Sequence, residues 1–249
     1  MLASVGGFVD AVGFLTLFHL FTAHMSGNSV WFGSAIGLGE WRIGLHHLFP
    51  IPLFVLGLIA GTVGVELARR RRLRAPFAPA LLVEIALLAA FMALGSAYVV
   101  DGALRTETVP AFYGLAAIPA FAMGLQNATL RQIAGRTVHT TYVTGVLQSL
   151  SEDAVRYAFW LCEYARGAGL GRALRASPAH PALRGAVVAG LIWIAYVAGA
   201  IGGGFASRRW ALLALALPLA LLTAAVVVDL IRPFAPDSDE SRSSNDRRA

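Results

Sequence analysis

The sequence has few of the residues that mark a soluble domain. Charged residues make up 14% of the 249 positions, whereas soluble domains have about a quarter. Lysine is absent, so arginine supplies all 20 of the Lys and Arg residues counted. The single cysteine, Cys162, excludes an internal disulfide and a cysteine-based zinc site. Hydrophobic residues account for 57% of the chain and the mean hydropathy is +0.66, which indicates a membrane protein.

Motifs for nucleotide, metal and catalytic chemistry are also missing. The sequence contains no Gly-x-x-x-x-Gly-Lys-Ser/Thr phosphate loop and no Gly-x-Ser-x-Gly elbow. His46 and His47 are adjacent rather than at the i, i+4 spacing of a helical zinc site. We therefore predict no enzyme activity, no cofactor and no metal. The net charge is +6, and the arginines lie between apolar runs. They therefore indicate membrane topology rather than a nucleic-acid partner.

Six apolar stretches are long enough to cross a bilayer as helices, which predicts an all-α transmembrane bundle. They are Leu2–Phe21, His47–Leu67, Phe77–Val99, Val109–Leu130, Gly185–Phe205 and Trp210–Leu230. Two further stretches, Met25–Gly39 and Thr140–Leu150, are apolar but short and contain polar residues. We interpret both as broken or re-entrant helices, which need protein or a water cavity around their backbone.

The arginines predict the orientation. Six crossings with a cytoplasmic N-terminus put the Arg69–Arg74 cluster, the Arg156–Arg184 stretch and the tail on the cytoplasmic side, as the positive-inside rule requires. Eight crossings would separate these clusters, so six is the better interpretation. Asp10 interrupts the first apolar stretch, so we expect a retained membrane segment rather than a cleaved signal peptide. These features predict a multi-pass membrane protein with both termini cytoplasmic.

The two halves of the chain resemble each other. Gly7-Phe8-Val9-Asp10 leads to a turn at residues 22–28, and Gly124-Leu125-Gln126-Asn127 leads to a turn at residues 140–145. Ala60-Gly61-Thr62-Val63-Gly64 then parallels Ala198-Gly199-Ala200-Ile201-Gly202. Chance similarity among small residues is the alternative, and the shared order favours duplication. Three crossings per half would make the second copy inverted. We therefore divide the chain into repeats at 1–100 and 109–231, followed by a disordered polar tail at 232–249.

These motifs resemble the YoaK-like family of bacterial membrane proteins. The likeness rests on Gly7–Phe14, on His24–Ser29, on Gly124–Ala128 and on Thr140–Gly145, and it extends to about Leu230. One departure is that Ser26-Gly27-Asn28 replaces the Thr-Gly-Asn turn of the family. The family has no known function, so the resemblance implies a multi-pass inner-membrane protein and no substrate or reaction.

Asp10 is the first candidate for a functional residue. A carboxylate near the centre of an apolar helix costs about 2.5–3.5 kcal/mol on insertion scales, so it should face the protein interior. It is either a proton or cation site, or a hydrogen-bonded tether between helices. Gln126 and Asn127 occupy the corresponding place in the second half. They would bind a neutral polar solute, pair with Asp10, or join helices.

The two turns supply the remaining candidates, because helix breaks free backbone groups that can bind ions. Their candidate residues are Thr22, His24, Ser26, Gly27 and Asn28 in the first half and Thr141, Tyr142, Thr144 and Gly145 in the second. Hydrogen-bonding caps are the alternative interpretation for such residues. Glu84 is a secondary candidate, since it lies inside an apolar stretch.

Two classes of function fit these observations. The favoured hypothesis is a small secondary transporter, with a midplane site at the repeat interface for a small solute and a proton or cation. The rival is a membrane scaffold, sensor or partner subunit, in which the polar motifs serve packing alone. The lipid bilayer is a partner in both, and the small-residue helices permit a homo-oligomer. A transporter should show Asp10, Asn28, Gln126 and Asn127 around a cavity, whereas a scaffold should pack them dry.

Overall fold

A computed structural model describes residues 1–100, 103–104, 110–133 and 143–233 of the chain. The described part is a bundle of α-helices, with one pair of two-residue strands, which confirms the predicted all-α membrane bundle. The helices are α1 (Leu2–Thr16), α2 (Met25–Gly37), α3 (Trp41–Leu48), α4 (Pro50–Arg70), α5 (Ala78–Ser96), α6 (Pro110–Ile133), α7 (Val143–Ala168), α8 (Leu170–Ala176), α9 (Pro181–Trp210) and α10 (Ala216–Ile231). Strands β1 (Val99–Val100) and β2 (Ala103–Leu104) pair antiparallel, and short 3-10 turns precede α9 and α10.

Three helical stretches of the described chain are long and apolar enough to cross a membrane. They are Trp41–Arg70, Ala78–Ser96 and Pro181–Ile231, and Leu2–Thr16 is a shorter apolar helix. On α4, Gly57 and Gly61 face the protein, while Leu56, Ile59 and Val63 are about half exposed. An outward apolar face and an inward small-residue face are what a lipid-embedded helix requires. The exact number of crossings stays a prediction.

Helix α1 is shorter than its apolar stretch. It ends at Thr16, whereas the apolar run extends to Phe21. Phe18 and His19 adopt positive φ angles of 53° and 62°, which no right-handed helix accommodates. Fifteen residues give a length of about 22 Å, below the roughly 30 Å of a hydrocarbon core. Residues 17–24 therefore form an irregular linker between α1 and α2.

The second short stretch also differs from its expected length. Residues 134–142 lie outside the described part, and from Val143 the chain forms the 26-residue helix α7. This helix carries Glu152, Asp153 and Arg156 near its middle, where the apolar pattern stops. The apolar run therefore marks only the beginning of a longer, partly charged helix. Of the predicted disordered tail at residues 232–249, residues 234–249 also lie outside the described part.

Glycines bring α1 and α9 into backbone contact. A Cβ atom at Gly7 would overlap the carbonyl oxygen of Tyr196, and one at Gly199 would overlap that of Ser4. A Cβ at Gly203 would lie 2.6 Å from the Phe8 carbonyl oxygen. Only glycine permits this approach, so these small residues serve close helix packing.

The α4–α6 crossing uses the same contacts. A Cβ at Gly124 would overlap the Phe54 carbonyl oxygen, and one at Gly57 would overlap that of Phe121. A Cβ at Gly61 would lie 2.8 Å from the Leu125 carbonyl oxygen. These contacts correspond one by one to those of α1 and α9. By these contacts Gly57 corresponds to Gly199, and Gly61 corresponds to Gly203. The sequence comparison instead matched Gly61 with Gly199, which differs by one helical turn.

Candidate functional site

The carboxylate of Asp10 binds the backbone of the linker between α1 and α2. Its Oδ1 accepts hydrogen bonds from the backbone amides of Thr22 (2.8 Å) and Ala23 (2.9 Å). The Thr22 hydroxyl donates a third bond to the same oxygen at 3.0 Å. Gly13 leaves room for this approach, since a Cβ there would lie 2.5 Å from Thr22 Cγ2. Asp10 therefore holds the linker against the helix from which its own side chain projects.

The second carboxylate oxygen joins three elements. Oδ2 of Asp10 lies 2.5 Å from Nδ1 of His24, which donates its N–H because a carboxylate only accepts. The Tyr196 hydroxyl, on α9, donates to the same Oδ2 at 3.1 Å and lies 3.2 Å from His24 Nδ1. Asp10 is 4% exposed, whereas His24 and Tyr196 are part-buried. These bonds connect α1, the linker and α9 in one network.

Asn28 holds the same linker from α2. Its Nδ2 donates to the Phe21 carbonyl oxygen at 2.7 Å, and its Oδ1 accepts from the Phe21 amide at 3.0 Å. Asn28 is fully buried, as is Thr22. Gly27 packs against the Phe21 ring, and Ser26 is exposed. The linker is neither helix nor strand, so its backbone groups need other hydrogen-bond partners. The polar side chains around the first turn supply them.

Glu84 and Gln126 form a second buried polar pair, between α5 and α6. Gln126 Nε2 donates to Glu84 Oε1 at 2.7 Å, and both side chains are fully buried. Glu84 Oε2 and Gln126 Oε1 have no hydrogen-bond partner within the described chain. Gln126 therefore pairs with Glu84, and Asp10 has other partners.

The other second-half candidates are not brought to these clusters. Asn127 is half-buried and donates to the Met123 carbonyl oxygen of its own helix at 2.9 Å. Thr144 is exposed and Gly145 half-buried, both in the first turn of α7. Thr141 and Tyr142 lie outside the described residues. The first-half candidates therefore form one cluster, and the second-half candidates do not join it.

A cavity of about 170 Å³ lies beside the linker. Leu17, Phe18 and Leu20 of the linker line it, together with His46 and His47 of α3 and further residues of α2 and α6. Asp10, Asn28, Gln126 and Asn127 are not among its lining residues. The predicted cavity around these four side chains is therefore not the one observed here.

Two residues of this region were not predicted from the sequence. Tyr196 sits in an apolar helix with no polar motif around it, 186 residues from Asp10. His47 is 5% exposed and stacks on Trp31 with ring centroids 5.1 Å apart. In the sequence, His46 and His47 were compared only with the spacing of a zinc site. No sequence pattern predicts that they lie beside the linker.

An all-helical bundle with bilayer-length apolar helices and internally bonded carboxylates defines an integral membrane protein. Residues 1–228 match the family described as "Protein of unknown function (DUF1275)", and the chain belongs to that family. It is 30% identical over 153 residues to the UPF0700 transmembrane protein YoaK of Bacillus subtilis (strain 168). That match covers 61% of this chain and 64% of the relative, which is less than two thirds of its length. The resemblance to the YoaK-like family is thus confirmed, and no solved structure matches.

Proposed function

We propose that this protein is a small secondary transporter built from two inverted repeats of three crossings. The observation that carries the proposal is the correspondence between the α1–α9 and α4–α6 crossings. Ser4, Gly7 and Phe8 make the contacts that Phe121, Gly124 and Leu125 make in the other half. Inverted repeats with interrupted helices are a recurrent construction of secondary transporters.

The solute would bind beside the linker at residues 17–24. Its first residues line the cavity of about 170 Å³, and its last residues are bound by Asp10 and Asn28. A solute that displaces the linker must break these bonds, so binding and release of the linker would be coupled. The consecutive positive φ angles of Phe18 and His19 support this, because such backbone strain often accompanies moving elements. Asp10 would then couple solute movement to a proton or cation.

The proposed setting is a bacterial inner membrane with both termini in the cytoplasm. This orientation follows from the arginine distribution, which puts the Arg69–Arg74 cluster and the Arg156–Arg184 stretch on one side. The small-residue helices also permit a homo-oligomer.

The test is a flux assay on purified protein in proteoliposomes. A panel of neutral, anionic and cationic small solutes is combined with light scattering and an internal pH dye. Wild type is compared with Asp10→Asn and with Glu66→Gln, a matched control because Glu66 is an exposed carboxylate paired with Arg70. We expect solute-dependent proton movement in wild type and Glu66→Gln and its loss in Asp10→Asn. Flux that is equal in all three proteins would refute a coupling role for Asp10.

One observation favours the rival function of a membrane scaffold or partner subunit. Asp10 receives bonds from Thr22, Ala23, His24 and Tyr196, so its oxygens are already satisfied without a solute. A scaffold would keep this network closed under all conditions. If no solute moves and the linker amides stay protected from hydrogen exchange with every solute, the scaffold function is the better account.

A further inference from the structure

The Glu84–Gln126 pair contains two unsatisfied atoms that belong to the same two side chains. The pair makes one hydrogen bond, from Gln126 Nε2 to Glu84 Oε1. The atoms left without a partner are Glu84 Oε2 and Gln126 Oε1. Both side chains are fully buried, so water at the protein surface does not hydrogen-bond to these oxygens. Buried polar atoms without a partner destabilise a fold and are rare, so a missing partner is expected.

An ionised Glu84 would not solve this problem. A carboxylate only accepts hydrogen bonds, and the Gln126 Oε1 atom also only accepts. With Glu84 ionised, neither free oxygen could supply a hydrogen to the other. Within the described part of the chain, no arginine or histidine forms an ion pair with Glu84 to offset a buried charge.

The surroundings of Glu84 are apolar. Leu81 and Leu88 lie one helical turn before and after it on α5, and both are fully buried. On α6, Met123 precedes Gln126 by three residues and is also fully buried. A charge in such a place is expensive, whereas a neutral carboxylic acid with two hydrogen bonds is not.

We propose that Glu84 binds a proton and forms a reciprocal acid–amide pair with Gln126. The acid O–H at Oε2 donates to Gln126 Oε1, while Gln126 Nε2 donates to Oε1 of the acid. One proton therefore satisfies both remaining atoms, and the ligand of this site is the proton itself. The pair joins α5 to α6, and so the first half of the chain to the second. The use of this proton in solute coupling rests on the proposed transport function, whereas its presence does not.

Infrared spectroscopy of the purified full-length protein tests the presence of the proton. A protonated carboxyl group has a carbonyl stretch band apart from that of carboxylates, and the band shifts in D₂O. We expect wild type minus Glu84→Gln to show one such band, and wild type minus Asp10→Asn to lack it. In Gln126→Leu the band should remain but shift, because the acid carbonyl loses its donor. A wild-type minus Glu84→Gln spectrum with only a carboxylate band would overturn the proposal.

The Glu84→Gln variant is designed to fold. Its amide can donate to Gln126 Oε1 and accept from Gln126 Nε2, so it imitates the protonated acid. We expect its thermal unfolding midpoint to equal that of wild type, and a clear fall in Glu84→Gln would also contradict the proposal. Solute-driven proton uptake in proteoliposomes is measured separately. An infrared band without any solute flux would support the proton site and refute the transport function, whereas flux without the band would do the reverse.

Discussion

Asp10 and Asn28 lie on the two helices that flank the linker, and both bind its backbone. Asp10 Oδ1 accepts from the amides of Thr22 and Ala23, and Asn28 bonds both polar groups of Phe21. Each anchors a different residue, so the two side chains divide the linker between them. The polar residues that look like a binding motif in the sequence are, in this conformation, the partners of an irregular backbone.

Asp10→Ala should free the second half of the linker. The amides of Thr22 and Ala23 lose their acceptor, at up to about 1–3 kcal/mol each, so their hydrogen exchange should accelerate strongly. Asp10→Asn is the matched variant, because its carbonyl oxygen still accepts from both amides and should preserve their protection. Exchange measured by mass spectrometry on short peptides distinguishes the two. Unchanged protection in Asp10→Ala would mean that the carboxylate does not hold the linker.

Asn28→Asp should disturb the Phe21 contact while keeping the side-chain shape. The carboxylate still accepts from the Phe21 amide but cannot donate to its carbonyl oxygen, and it adds a buried charge. We expect a loss of about 2 kcal/mol in unfolding free energy and faster exchange at Phe21. Ser29→Ala is the control, since Ser29 is exposed and bonds only the Met25 carbonyl oxygen. Equal stability of the two variants would contradict the assignment.

The Tyr196 hydroxyl should contribute through the Asp10–His24 pair. Tyr196→Phe removes a hydrogen bond of 3.1 Å to Asp10, so we expect a loss of about 1 kcal/mol. Because the hydroxyl also lies 3.2 Å from His24 Nδ1, its effect should depend on His24. A double-mutant cycle with His24→Ala, measured by reversible unfolding in mixed micelles, tests this coupling. Additive losses would show that the network is not cooperative.

Gly57→Ala and Gly64→Ala should differ in their effect on stability. A Cβ at Gly57 would overlap the Phe121 carbonyl oxygen, whereas one at Gly64 meets nothing within 4 Å. Both glycines lie on α4, so the gain in helix propensity is similar, at up to about 1 kcal/mol. Gly57→Ala should therefore lower the unfolding midpoint through overpacking, and Gly64→Ala should keep or raise it. A tolerated Gly57→Ala would contradict the close α4–α6 crossing.

Cys162 offers a test of the proposed orientation. It is the single cysteine of the chain, it is free, and it is exposed on α7 within the Arg156–Arg184 stretch. A membrane-impermeant maleimide should label it in inverted vesicles and leave it unlabelled in intact spheroplasts. Cys162→Ser with a cysteine introduced at Glu40 should give the opposite pattern, because Glu40 lies beyond α1 on the other predicted side. Labelling of Cys162 from outside would reverse the assigned topology.

Much of the bundle follows from hydrophobic run length alone. The apolar stretches predicted helices α4, α5, α6 and α9 within a few residues, because lipid requires long uninterrupted helices. The end of α1 could not be predicted this way. Leu17, Phe18, Leu20 and Phe21 are apolar and extend the run, yet Asp10 and Asn28 draw the backbone into another conformation.

The candidate site was predicted only where its partners are near in sequence. Asp10, Thr22, His24 and Asn28 lie within one segment, and their spacing made them candidates. The pairing of Glu84 with Gln126 and of Asp10 with Tyr196 depends on which helices cross. Glycine contacts between α1 and α9 and between α4 and α6 determine those crossings. A single sequence shows where the glycines are, but it does not show which helix each glycine contacts.

The separation of Asp10 and Tyr196 has a consequence for synthesis. The two residues are 186 positions apart, and translation at about 5–20 residues per second needs roughly 10–40 s to make that length. During this time α1 lacks the helix that covers its glycine face. Thr22, Ala23 and His24 follow Asp10 within about 3 s at the same rate, so they can satisfy the carboxylate long before Tyr196 is made. The local hydrogen bonds of Asp10 thus lower the cost of its carboxylate in an apolar environment until α9 has been synthesised.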